Sequence, residues 1–135
     1  MFMTGETDLH ILITSMKPSL HAQPFVFCSI DNATFDQLPF MPLGTFCEDE
    51  GISIIVTQQQ ADDNNLIYEG VWACITLEIH SSLSAVGFLA VITHRLSRTG
   101  ISVNPVSAFY HDHLFVPWYM RDIAVEELDE LSSTR

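Results

Sequence analysis

Two short stretches of the chain carry side chains able to do chemistry. In His111-Asp112-His113 two imidazoles stand at i and i+2, on one face of an extended chain. Such a pair can hold a metal if a third ligand arrives from elsewhere, and His80, at the end of an earlier strand, is the candidate. The same run also reads as a polar hairpin whose histidines bond to backbone or sit in a subunit contact. Two histidines alone make a weak metal signal. The hairpin reading is preferred, and neither a metal nor any other cofactor is expected.

The second stretch, Ser81-Ser82-Leu83-Ser84-Ala85-Val86-Gly87, joins a predicted strand to a predicted helix start. Three hydroxyls and the free N–H groups of a helix N-terminus suit a carboxylate or another small anion. Gly87, one turn into that helix, costs stability relative to alanine, as it would if something approached the backbone closely. A serine cap with a packing glycine accounts for the pattern equally well, and both readings stay open. Asn104, next to Pro105, either pins a bulge or reaches a ligand. There is no GxSxG, GxGxxG or P-loop, so no catalytic residue is assigned and no enzyme is expected.

Composition narrows the classes further. The 135 residues are 47% hydrophobic and 16% charged, enough to build a core and too apolar for general disorder. The net charge of −12 rests on only five basic residues, too few to displace counterions from a nucleic acid. Between Ile79 and Arg121 the only acidic residue is Asp112, which makes this middle region the least hostile place for a small anion. No run of about eighteen apolar residues offers a membrane span. Met1–Asp8 lacks the basic and apolar regions of a leader. Cys28, Cys47 and Cys74 are odd in number and widely spaced, as befits reduced thiols and a cytoplasmic location.

The elements that position these residues follow from periodicity. Thr7 or Asp8 caps a short helix with Leu9, Leu12, Ile13 and Met16 on one side, stopped by Pro18. Pro24–Ile30 reads as a central strand. Asp31–Gly44 reads as mostly loop, with a turn of helix around Thr45–Glu50. Ile52–Thr57 alternates as a half-buried strand, and the polar Gln58–Asn65 is a short exposed helix or linker. Val71–His80 alternates over ten residues as a further strand.

Ser81 or Ser82 then caps a helix with Ala85, Phe88, Leu89, Ile92 and Leu96 inward, ended by Gly100. Ile101–Phe109 is extended, and Pro105 confines it to an edge. His113–Val116 returns, and a terminal helix follows Pro117 with Ile123, Val125 or Glu126, Leu128 and Leu131 as its stripe. Strand, helix, strand, strand, helix in a split arrangement puts the second strand outside, where the proline falls.

The runs Ile75–Gly87 and Gly100–Pro117 resemble a small family of ACT-domain proteins related to the regulatory domains of aspartate kinases. Met16-Lys-Pro, Phe25-Val-Phe-Cys and Glu48-Asp-Glu-Gly-Ile extend the resemblance to the first half. The resemblance implies an α+β fold, two ferredoxin-like ACT sandwiches in tandem (residues 1–68 and 69–135), with a strand exchanged between them as one arrangement. It also implies a homodimer that senses an amino acid or similar small molecule without catalysis, in the cytoplasm, with no nucleic-acid or membrane partner. Carried over residue by residue, the ligand site is the loop His80, Ser81, Ser82, Leu83, Ser84, Ala85, Val86 and Gly87, with Ser102, Val103 and Asn104 from the next strand. Many ACT modules have glycine or aspartate where this loop has serines. The alternatives are a small metal-dependent enzyme centred on His80, His111 and His113, and a structural or partner-binding module.

Overall fold

The computed structural model describes residues 5–133. The leader reading rests partly on residues 1–4, outside that range. The chain forms two compact units. One takes in the chain up to Ala22 and from Ala73 onward; the other is Gln23–Trp72.

The first unit opens with α1 (Leu9–Ser15), where Asp8 caps by accepting from the Ile11 N–H. Leu12 and Met16 drop into the core, and Pro18 starts β1 (Pro18–Leu20) because it cannot extend the helix. The chain re-enters on β5 (Trp72–Leu77), followed by α4 (Phe88–Arg98), β6 (Asn104–Ser107), β7 (Asp112–Pro117), a 3-10 turn at Trp118–Met120 and α5 (Arg121–Ser133). β1 pairs antiparallel with β5, β7 lies on the other side of β5, and β6 pairs only with β7. Pro105 therefore sits on an edge strand that is exposed throughout, as its missing N–H demands.

Ile75, Leu77, Leu114 and Val116 from the strands meet Phe88, Ile92 and Leu96 of α4 and Ala124 and Leu128 of α5 in one core. Arg95 ties the two helices together through Glu127 and Glu130, and its guanidinium holds the Glu127 carboxyl below the usual range. Gly100 (φ +78°) ends α4 in the left-handed conformation.

The second unit holds β2 (Phe25–Ile30), α2 (Asn32–Asp36), β3 (Gly44–Cys47), β4 (Ile52–Thr57) and α3 (Gln58–Asp63). β4 pairs with β2 on one side and β3 on the other, all antiparallel. Val26, Cys28, Ile54, Val56 and Ala61 form its core. Both units thus repeat strand, helix, strand, strand, helix with the middle strand lateral: the α+β, ferredoxin-like ACT plan. α3 begins with a full capping box, Thr57 accepting from the Gln60 N–H and Gln60 returning the bond.

Several local expectations are corrected. Asp31–Gly44 is mostly loop as expected, but it also holds the five-residue α2, nucleated where Asp31 accepts from the Thr34 N–H. Thr45–Glu50 is not helical: Glu48 and Gly51 close a hairpin through both backbone bonds, which aligns Gly44–Cys47 with β4. Ser81 and Ser82 do not cap α4, which starts only at Phe88 with Gly87 as its N-cap. In α5, Ala124 and Leu128 are the buried positions, whereas Ile123 is 43% exposed.

Candidate functional site

The late start of α4 turns Ser81–Gly87 into a loop with its own fastenings. Glu6 lies alongside it as an isolated parallel bridge to Ser81, its N–H donating to the His80 carbonyl at 2.8 Å and its carbonyl accepting from the Ser82 N–H at 2.9 Å. Gly5 makes that approach sterically feasible, since a Cβ there would stand 2.5 Å from the Ser82 nitrogen. Within the loop, the Ser82 Oγ accepts from the Ser84 N–H and the Ser82 carbonyl from the Ala85 N–H. Gly87, at φ +89°, turns the chain into α4, a conformation that costs other residues about 1–2 kcal/mol.

Between this loop and the β6–β7 hairpin lies a cavity of about 150 Å³, lined by Ser81, Ser82, Leu83, Ala85, Gly87, Phe88, Leu89, Ala90, Ser107 and Asp112. One wall is the first turn of α4, where the N–H groups of Phe88, Leu89 and Ala90 have no partner inside their helix and the positive end of the helix dipole lies. The other wall is Asp112, only 7% exposed. Ser81 Oγ donates to its Oδ2 at 3.1 Å and Ser107 Oγ to its Oδ1 at 2.6 Å. The ion pairs among the described residues are those of Arg95, and none reaches Asp112. A buried carboxylate is stable only with hydrogen bonds or a countercharge. Here it has hydroxyls and an adjoining cavity.

The structure therefore brings Ser81, Ser82, Leu83, Ala85 and Gly87 together with Asp112. Ser84 and Val86 do not line the cavity, Val86 being 83% exposed. His80 does not line the cavity; its ring packs, tilted, 5.0 Å from that of Tyr110 and 6.2 Å from that of Phe109. Ser102, Val103 and Asn104 do not line the cavity; Asn104 pairs with Phe115 at the far end of the hairpin, and the residue that faces the loop is Ser107.

Nor do His80, His111 and His113 converge. His113 turns to the other face of β7, where Thr76 Oγ1 meets its Nδ1 at 2.9 Å, with the His111 ring 6.4 Å away. Among the described residues no group of three or more His, Cys, Asp or Glu could hold a metal, and no helix is long and apolar enough to cross a membrane. Cys74 is buried, and that burial pushes its thiol up to about 11, as expected of an inert structural thiol.

The sequence reading missed Gly5, Glu6 and Ser107. Ser107 was legible in principle, since a reversal at Ala108–His111 places it opposite Asp112. Nothing in the local pattern marks Gly5 or Glu6.

Comparison with known proteins bears on the family and the fold. ACT domain models match residues 4–73 and, separately, 68–130. A solved protein of unknown function from Vibrio cholerae, described as a possible transport protein, is 35% identical over 93% of this chain and 96% of its own, with a TM-score of 0.84. A protein from Agrobacterium tumefaciens is 20% identical over 87% of this chain and 89% of its own, with a TM-score of 0.64. The ligand-free regulatory subunit of aspartate kinase from Thermus thermophilus shares the fold at 10% identity, a TM-score of 0.69, and coverage of 88% and 97%. No curated protein matches the chain. With one ACT model spanning residues 4–73, a second spanning 68–130 and a 35% identical relative along nearly its whole length, the chain belongs to the ACT domain family.

Proposed function

We propose that this chain is a regulatory module that binds a free amino acid in the cavity beside Ser81–Gly87 and performs no chemistry on it. The observation that carries the reading is the pair of opposite poles across one small space. The N–H groups opening α4 suit an α-carboxylate, and the buried Asp112 carboxylate, without a lysine or arginine of its own, suits an ammonium. A zwitterion answers both, whereas an anion alone leaves Asp112 unanswered. The roughly 150 Å³ is the size of a cavity that holds a benzene-sized molecule, about six heavy atoms, which favours a short side chain.

Leu83 and Val86 stand exposed on the loop, and Phe109 and Tyr110 on the hairpin. This apolar rim is what a homodimer of the chain would cover, and the proposal includes such a dimer. It also includes a cytoplasmic setting, no cofactor, and ligand contacts through the loop residues Ser81, Ser82, Leu83, Ala85 and Gly87 that line the cavity. Ser102, Val103 and Asn104 enter only if dimer formation brings them to the ligand.

A thermal-unfolding screen tests the reading with the twenty amino acids and the 2-hydroxy and 2-keto acids matching the small ones. A small amino acid at a hundred times its dissociation constant is expected to add about 2.7 kcal/mol. A flat response to every compound refutes the proposal.

A further inference from the structure

The strands that bear the cavity carry a second polar cluster on their other face. Ile75, Leu77, Leu114 and Val116 point into the core, so Thr76 and His113 point away from it. Thr76 Oγ1 lies 2.9 Å from Nε2 of His21 and 2.9 Å from Nδ1 of His113. One hydroxyl thus joins three strands: β5, β7 and the end of the β1 segment, where the His21 N–H donates to the Cys74 carbonyl at 3.0 Å. We propose that the His21–Thr76–His113 bridge is a proton-operated latch, which fastens the end of the N-terminal segment and β7 to β5 when the rings are neutral and loosens when they are protonated.

The latch rests on a count of hydrogens and charges. The Thr76 hydroxyl has one proton to give. With both rings neutral, one ring donates to Oγ1 and the hydroxyl donates to the bare nitrogen of the other; one charged ring can still be accommodated. With both charged, both nitrogens are donors. The hydroxyl hydrogen then has to leave both rings, and two cations flank the single oxygen that must accept from both. The His111 ring, 6.4 Å from that of His113, adds a third charge. Burial is the largest cause holding the His113 imidazole below its ordinary range, followed by the charges of His111 and His21; Asp112 pulls the other way. In an unfolded chain His113 takes up its proton near the ordinary histidine value of about 6.5. A group depressed in the fold therefore stabilises fully above that pH, and its contribution is lost as the pH falls below it. Because α1 stays anchored by the buried Leu12 and Met16, the segment frays at the His21 end rather than leaving.

Amide hydrogen exchange on the whole protein at pH 7.5 and 5.5, corrected for intrinsic exchange, tests the latch without any assumption about a ligand. Protection of the His21 amide is expected to fall at least tenfold at the lower pH in the wild type and in Thr76→Ser. His113→Gln should show little change between the two pH values, and Thr76→Val low protection at both. The wild type alone overturns the latch if His21 is protected equally at both pH values. An equally large loss in His113→Gln overturns it too, by assigning the effect to general acid destabilisation.

Discussion

Ser107 Oγ donates to Oδ1 of Asp112 at 2.6 Å, across the last rung of the β6–β7 hairpin. This bond and the matching one from Ser81 fix the carboxylate against the cavity wall rather than letting it swing to solvent. Ser81 is itself buried. Its replacement by alanine is expected to cost about 1.5–3 kcal/mol, the range for a hydrogen bond to a charged group, measured by urea unfolding.

Gly87 hands the loop over to α4 at φ +89°, and a Cβ there would meet only Leu9 Cδ2 at 3.6 Å, an ordinary contact. Gly87→Ala is therefore a test of backbone conformation alone. It should destabilise by about 1–2 kcal/mol, seen as a lower urea midpoint with an unchanged slope.

Gly5→Ala acts differently, because its Cβ would collide with Ser81 and Ser82 backbone atoms at 2.5–2.8 Å. The expected result is loss of hydrogen-exchange protection at the Glu6 and Ser82 amides, with α5 amides unaffected.

The helix faces give a matched pair. Leu128→Ala opens a cavity at a fully buried site and should cost about 2–5 kcal/mol. Ile123→Ala, at a position 43% exposed, should stay within about 0.5 kcal/mol. Thermal or urea unfolding of the two variants side by side separates them.

Much of the first unit was legible because its signals are periodic. The alternation over Val71–His80 announces β5, although the strand itself is only Trp72–Leu77, Pro105 announces an edge, and the order of elements puts β6 outside β7. The second unit was harder. α2 is only five residues long and rests on a single Asp31 cap, and β3 is only four residues long and is aligned by the Glu48–Gly51 hairpin. Part of the expected loop lines the cavity, yet its form differs from the expected one. Hydroxyls before an apolar stripe read as a helix cap, while here the Ser81 hydroxyl is taken by Asp112 and the Ser82 N–H by Glu6, both distant in sequence. The change matters chemically. A serine-capped helix start suggests an anion, whereas the buried Asp112 beside free helix N–H groups favours a zwitterion.

Calorimetric titration of the best small amino acid from the screen, into wild type and Asp112→Asn, tests the central claim most directly. The account expects binding to the wild type and an affinity about 10- to 100-fold weaker in Asp112→Asn, from about 1.5–3 kcal/mol for a charge-assisted bond. The hydroxy acid of the same side chain should bind neither protein. No heat with any amino acid, or equal affinity in both proteins, would contradict it.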